Sequence, residues 1–178
     1  MTDKHIDDNS INQPLDLYSD ESMVNARVSE WYDRVTSSLD KCPFCDLKDK
    51  YIIVEKDGVV LSVNLFPYID GHLMVIPRRH IEKFEEINDE EWHALKSLLD
   101  TGIKIVKDEL KVENTNILYR EGGSSGISLR HLHVHILPIT PEFMQYHKTH
   151  FIWEFQKLEV SPLKMAERMR KAVGRLQG

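Results

Sequence analysis

The sequence predicts an α+β fold in which an antiparallel sheet packs against one long helix. Short apolar runs are joined by turn residues, most clearly at Asp57-Gly58, a dipeptide that is a strong hairpin signal between such runs. A single long segment, from Trp92 to Leu110, has apolar residues at helical spacing and predicts one amphipathic helix. Hairpins around one long helix are typical of α+β proteins and not of doubly wound parallel sheets.

The predicted elements follow one another along the chain. A first helix covers Ser22 to Leu39, and a closing helix begins at Ser161-Pro162, where a cap residue precedes proline. The long helix begins after the N-cap Asn88, with Glu91 three residues further on as the second half of a capping box. The five predicted strands are Tyr51–Glu55, Val59–Leu65, Gly71–Ile76, Thr115–Tyr119 and Leu129–Leu137.

Composition limits the function classes that are open to this chain. Its 178 residues, 41% of them hydrophobic, are enough for one domain with its own core. No apolar run is long enough for a membrane span and the chain starts without a signal-peptide pattern, so we expect a cytoplasmic protein. The net charge of −6 argues against a nucleic-acid partner. Most of that charge lies near the N-terminus, where we expect an acidic, flexible tail over residues 1–21 before a single domain of residues 22–178.

The most informative segment is Arg130-His131-Leu132-His133-Val134-His135-Ile136-Leu137-Pro138. Alternate side chains of a strand point to opposite faces, so the three histidines would share one face and the apolar residues the other. Three interpretations remain: a histidine-rich solvated face, a metal site that uses all three rings, or catalysis by imidazole. A straight strand spreads three ligands too far apart for one ion, which weakens the second. The Gly- and Ser-rich segment 122–128 could cradle an anion beside a nucleophilic imidazole, which favours phosphoryl or nucleotidyl transfer.

These residues resemble the signature of the histidine triad (HIT) family. His131 to Leu137 matches the family's alternation of histidine and apolar residues, and Gly126 and Ser128 stand at the family's spacing before the triad. The upstream match is to the family's strand–turn–strand and covers Asn64–Tyr68 and Gly71–His80. The resemblance extends over residues 42–140 in family order, and it implies a HIT-like fold.

The resemblance implies a nucleotide hydrolase or nucleotidyltransferase that acts at the α-phosphate of dinucleoside polyphosphates or nucleoside phosphoramidates, with adenine as the family's base. In the family roles, His133 is the nucleophile that forms a nucleotidyl-histidine intermediate, and His135 assists the leaving group. Ser128 would donate a hydrogen bond to the phosphate, and no catalytic metal is implied. The substrate-binding residues that we predict are Asn64, Gly126, His72 and Arg120.

Two of these substrate-binding predictions carry open alternatives. His72 is explained equally well as a buried histidine with satisfied hydrogen bonds and as a support of the triad. Arg120 departs from the family pattern, which often has Asn eleven residues before His131, and it either meets an extra phosphate or faces solvent. Ile127 and Ile139 also replace frequent family residues, Gln and Arg, which leaves the substrate less defined.

The two cysteines of the chain, Cys42 and Cys45, have C-x₂-C spacing. That spacing alone fits a metal site, a disulfide, a redox pair or two idle thiols. Some HIT proteins hold zinc with such a pair, the histidine after Ile-Pro-x-x and the first triad histidine. The matching histidines here are His80 and His131. Two thiolates and two imidazoles make a closed tetrahedral set, so the resemblance implies a structural zinc ion.

The resemblance leaves part of the reaction open. Within enzymes, the alternative is a phosphorylase that uses inorganic phosphate in place of water. Outside them, the alternative is a nucleotide-binding module without turnover. A DNA-end deadenylating enzyme would need a basic surface or an extra zinc finger, which this near-neutral chain lacks. Relatives of this kind are commonly homodimers, so the family also implies a dimer.

Overall fold

The computed structural model describes residues 40–121 and 129–141, which form a five-stranded antiparallel sheet and a long helix. The strands are β1 (Ile52–Lys56), β2 (Val59–Val63), β3 (Leu73–Pro77), β4 (Asn114–Leu118) and β5 (Val134–Ile139), and the helix is α1 (Asp89–Leu110). The strand order is β1-β2-β3-β5-β4, and each neighbouring pair is antiparallel. The predicted α+β class, with an antiparallel sheet and one central helix, is confirmed.

Several predictions concern residues outside the described ranges. They are the acidic tail over residues 1–21, the helix from Ser22 to Leu39 and the closing helix from Ser161, and they stay predictions. The chain divides into two compact units, Met1–Thr140 and Pro141–Gly178, and all the labelled elements lie in the first. Across residues 40–121 and 129–141, no helix has the length and apolarity needed to cross a bilayer.

The hairpin between β1 and β2 turns at Asp57-Gly58, as predicted. Both residues have positive φ angles, 46° for Asp57 and 73° for Gly58. A two-residue turn of this handedness matches the right-handed twist of the paired strands, and Asp and Gly adopt it more readily than most residues. The hairpin therefore follows directly from local sequence, and the ends of its strands differ from the predicted ones by one or two residues.

The start of α1 is fixed by the predicted capping box. The Asn88 side chain accepts a hydrogen bond from the Glu91 backbone N–H at 2.9 Å, and the Glu91 carboxylate accepts one from the Asn88 N–H at 3.1 Å. The same carboxylate receives two hydrogen bonds from Arg79, at 3.0 and 2.7 Å. The segment that follows β3 is thereby tied to the first turn of the helix.

The sheet separates the main core from a second, smaller cluster on its other face. The core on the α1 side includes Val59, Leu61, Val75, Leu95, Leu98, Val134 and Ile136. The cluster on the opposite face consists of Phe44, Leu47, Val60, Met74 and Ile76. Met74 pairs directly with His135, and directly paired residues point to the same face of a sheet. His135 therefore projects on the face away from the helix.

Besides shifts of one or two residues at the other strand ends, two larger details of the sequence prediction are wrong. The last strand begins at Val134 and not at Leu129, because the Leu132 N–H bonds to the carbonyl of Ile81, beyond the end of β3, at 2.6 Å. His131 and His133 thus precede the strand. At the ends of α1, Trp92 and Leu110 are 51% and 41% exposed, so the apolar stripe of the helix is longer than the face that the sheet covers.

A glycine in α1 allows the closest approach between helix and sheet. A Cβ atom built on Gly102 would lie 2.5 Å from Cδ1 of Ile136 and 3.0 Å from Cδ1 of Leu61, both in the buried core. We predict that Gly102→Val lowers the free energy of unfolding by about 2 kcal/mol or more, through overpacking. Urea unfolding followed by circular dichroism measures this. Lys104→Val, at an exposed position of α1, is the control, and an equal loss in both variants would contradict the account.

Candidate functional site

Four side chains from three parts of the chain meet at one end of the sheet. Cys42 and Cys45 come from the turn before β1, His80 follows β3, and His131 precedes β5. Their ligand atoms all lie within 4.8 Å of one another. Cys42 Sγ is 3.3 Å from His131 Nδ1, and Cys45 Sγ is 3.2 Å from His80 Nδ1. The four residues predicted as metal ligands are thus brought together.

The chemistry and spacing of this set fit a metal ion. Zinc–sulfur bonds of about 2.3 Å and zinc–nitrogen bonds of about 2.0–2.1 Å put neighbouring S and N atoms of a tetrahedron roughly 3.5 Å apart. The S···N distances of 3.2 to 3.6 Å agree with that edge. Desolvation is the main cause that raises the pKa of the Cys45 thiol, and the neighbouring Cys42 raises it further. Two thiolates here would therefore need a cation to stabilise their charge. These residues could therefore hold a metal ion.

His131 is oriented by the backbone of β3. Its imidazole is 2% exposed, and its Nε2–H donates a hydrogen bond to the Pro77 carbonyl at 2.8 Å. This assigns the proton to Nε2 and leaves the Nδ1 lone pair directed at the two thiols. Burial lowers the pKa of His131, which further favours the neutral ring that a metal requires.

His133 has its two ring nitrogens in different roles. Nδ1 lies 2.6 Å from the backbone carbonyl of His131 and can only donate to it, so the proton of the neutral ring is on Nδ1. Nε2 has no hydrogen-bond partner among residues 40–121 and 129–141, and its lone pair is available to an electrophile. Burial lowers the pKa of His133, and the positive charge of Arg120 lowers it further. A neutral, half-buried imidazole with a free Nε2 is the form that acts as a nucleophile.

A chain of hydrogen bonds orders the other two histidines of the site. Oδ1 of Asn64 accepts from the Phe66 N–H at 2.9 Å, so its Nδ2 faces the His72 ring, 3.2 Å from each ring nitrogen. The Tyr68 N–H can only donate and lies 3.2 Å from His72 Nδ1, so that nitrogen is the acceptor. His72 therefore carries its proton on Nε2 and donates it to Nδ1 of His135 at 2.8 Å. The neutral ring of His135 is left with its proton on Nε2.

The contacts of His72 bear on its two alternative roles. The ring is 2% exposed and hydrogen-bonded on both nitrogens, as a satisfied buried histidine would be. One of those bonds goes to a histidine of the triad, so satisfying His72 also sets the tautomer of His135. The contacts are compatible with both alternatives, and a supporting role of His72 in the reaction stays a prediction.

Two aromatic residues border the site. Phe44, inside the Cys42–Cys45 turn, has its ring centroid 5.0 Å from His133 and 5.7 Å from His131. The Tyr68 ring stacks on His72 at 5.0 Å, with 20° between the planes, and its hydroxyl lies 3.2 Å from Nη1 of Arg120. The sequence prediction assigned neither aromatic residue to the site, although both lie inside segments that it singled out.

The remaining predicted site residues have different outcomes. Asn64 lies in the relay, and Arg120 lies at the border of the site beside Tyr68. Gly126 and Ser128 lie outside the described residues, so their predicted contacts with a phosphate stay predictions. The histidine-rich solvated face is not observed, since His131 and His135 are 2% and 4% exposed.

Comparison with known proteins identifies the family. A protein-family model described as the HIT domain matches residues 47–142, more than half of the chain. The chain belongs to the HIT family. HIT proteins process nucleotides, so the coarse prediction of a nucleotide-related function is supported.

Two curated HIT relatives differ in how much of their length the match covers. An "AP-4-A phosphorylase" of Mycobacterium tuberculosis is 36% identical over 89 residues, which is 49% of this chain and 46% of that protein. An uncharacterised HIT-like protein of Saccharolobus solfataricus is 35% identical over 101 residues, 54% of this chain and 73% of that protein. The chain thus matches less than half the length of the phosphorylase.

Solved structures show the same fold. A hypothetical protein from Leishmania major superposes with a TM-score of 0.61 at 22% identity, over 77% of this chain and 96% of its own. A HIT family protein from Bacillus anthracis gives a TM-score of 0.59 at 20% identity, over 79% and 97% of the two chains. At these identities the agreement concerns the fold alone.

Proposed function

We propose that this HIT protein is a nucleotide hydrolase or nucleotidyltransferase acting at the α-phosphate of dinucleoside polyphosphates or nucleoside phosphoramidates. The observation that carries the proposal is the division of nitrogen roles at His133: Nδ1 donates to the His131 carbonyl, and Nε2 keeps its lone pair for phosphorus. Family membership supports a nucleotide as the substrate. The similarity to a protein named AP-4-A phosphorylase supports adenine as its base.

In the first step, Nε2 of His133 attacks the α-phosphorus in line with the leaving group. The Nε2–P bond forms while the bond from phosphorus to the leaving oxygen breaks, and that oxygen keeps the electron pair. The positive charge that develops on the His133 ring is stabilised by the Nδ1–H bond to the His131 carbonyl. The His135 Nε2–H donates a hydrogen bond to the departing polyphosphate, which leaves as an anion. Ser128, by its family position, would bind a phosphate oxygen.

In the second step, a water oxygen attacks phosphorus and the Nε2–P bond breaks, which returns the electron pair to His133. The products are a nucleoside monophosphate and one proton released to solvent. A phosphate oxygen in place of water would give a nucleoside diphosphate instead. The similarity to a protein named AP-4-A phosphorylase supports this second acceptor as the alternative reaction.

We also infer that Cys42, Cys45, His80 and His131 hold a structural zinc ion. The two sulfur and two nitrogen donors form a closed set without an open position for substrate. When bound, zinc would cross-link the turn before β1 to the residues that precede β5. His133 and His135 contribute no donor to this set, so the triad is shared between a metal site and a reaction site. A homodimer and a cytoplasmic location, both implied by the family or by composition, stay predictions.

We predict that His133→Ala lowers kcat for diadenosine tetraphosphate by roughly 10³-fold or more, since the attacking nitrogen is lost. Products are separated by chromatography, with and without inorganic phosphate. His93→Ala, at an exposed histidine of α1, is the matched control and retains activity. AMP and ATP from the wild type indicate hydrolysis, and ADP formed only with phosphate indicates phosphorolysis. Equal activity in the wild type and His133→Ala would contradict the mechanism. Nucleotide binding without turnover would favour the binding module.

We predict about one equivalent of zinc in protein purified without added metal, measured by elemental mass spectrometry. Cys42→Ser/Cys45→Ser loses the metal because half of the donor set is gone. His133→Ala retains it, which separates the proposed set from a site built on all three triad histidines. The wild type without metal, or a metal-free His133→Ala variant, would count against the assignment.

A further inference from the structure

Arg120 lies close to the nucleophile, just beyond the end of β4. The pairing of β4 with β5 is antiparallel and ends at the pair Leu118–His135, two residues before Arg120. Cζ of Arg120 lies 6.0 Å from the centroid of the Tyr68 ring, which is itself 6.0 Å from the ring of His135. The positive charge of Arg120 also lowers the pKa of His133. These contacts place a guanidinium at the edge of the reaction site.

The partners of Arg120 differ from those of the two arginines that follow β3. Arg78 bonds Glu55 at 2.7 Å, and Arg79 bonds Glu91 at 3.0 and 2.7 Å. Arg120 has no carboxylate partner within the described part of the chain. Its hydrogen bond there goes to the Tyr68 hydroxyl, at 3.2 Å, and its side chain is exposed. Among residues 40–121 and 129–141, no carboxylate neutralises this guanidinium, so its charge can attract an anion from solution.

Tyr68 holds the guanidinium near His135, the residue to which the proposed mechanism assigns the leaving group. The Tyr68 ring stacks on His72, and its centroid is 6.0 Å from that of His135. In the mechanism proposed above, the leaving group departs away from Nε2 of His133 and accepts a hydrogen bond from His135. The phosphates of a polyphosphate leaving group would then extend towards the Arg120–Tyr68 pair. An amine leaving group from a phosphoramidate carries no such charge.

We propose that Arg120 is a specificity-determining residue that binds the leaving-group phosphates and makes dinucleoside polyphosphates the preferred substrate class over nucleoside phosphoramidates. This inference rests on the proposed function. The planar guanidinium can donate two parallel hydrogen bonds to phosphate oxygens, and the Tyr68 hydroxyl is a weaker partner that it gives up when a substrate binds.

The test compares Arg120→Gln and Arg120→Lys with the wild type on diadenosine tetraphosphate and on adenosine 5′-phosphoramidate. We expect Arg120→Gln to lower kcat/KM for the tetraphosphate roughly 10- to 100-fold, the effect of losing a charge-assisted hydrogen bond, with a change of less than about 3-fold for the phosphoramidate. Arg120→Lys should lower kcat/KM for the tetraphosphate less than Arg120→Gln does, because lysine keeps the positive charge although it lacks the paired donors. Lys104→Gln, which removes an exposed positive charge from α1, should leave both values unchanged.

An equal loss of kcat/KM on both substrates would overturn the proposal, because Arg120 would then act on His133 itself. Unchanged kcat/KM on both substrates would overturn it as well. A binding measurement distinguishes failure of this proposal from failure of the proposed function. Calorimetry measures the affinity for a methylene-bridged, non-hydrolysable diadenosine tetraphosphate and for AMP. If Arg120→Gln binds the analogue more weakly than the wild type does but binds AMP equally well, the phosphate site is supported even if the wild type shows no turnover. Unchanged binding of the analogue would overturn it.

Discussion

The hydrogen bond from His131 Nε2 to the Pro77 carbonyl is the contact on which the rest of the site depends. It comes from the end of β3, a strand buried along its whole length, so its acceptor is held by the core. With Nε2 committed, Nδ1 of His131 can face only the two thiols. The backbone carbonyl of the same residue accepts the Nδ1–H of His133. One residue thus orients both a metal-binding set and a nucleophile.

The two faces of the sheet have different roles, since one packs into the main core and the other carries His135 of the reaction site. Leu132, Val134 and Ile136 pack into the core on the α1 side, while His135 lies on the other face. Because apolar and polar residues alternate, a shift of one residue in register would bury the imidazoles against α1 and expose the apolar side chains. The main core therefore fixes the position of the reaction site, and the loss of a single buried hydrogen bond at the site need not disturb the core.

Local signals in the sequence were enough for most of the fold. Asp57-Gly58 and the Asn88–Glu91 capping box act through a few neighbouring residues, and both were predicted correctly. The start of β5 was not, because the bond between Leu132 and Ile81 joins residues far apart in the chain. The metal-binding set was predicted through family resemblance, since C-x₂-C spacing alone left several alternatives. The tautomers and the Tyr68–Arg120 pair depend on three-dimensional contacts that spacing does not encode.

The central claim is that each triad histidine has a fixed tautomer, and this can be measured directly. Long-range ¹H–¹⁵N NMR correlation at about pH 8, where an ordinary histidine is neutral, reports which ring nitrogen carries the proton. The account predicts a proton on Nε2 of His131, on Nδ1 of His133 and on Nε2 of His135. Replacing each histidine in turn with Gln assigns the signals. A His133 ring with its proton on Nε2 would contradict the account, because that nitrogen would then have no lone pair for phosphorus.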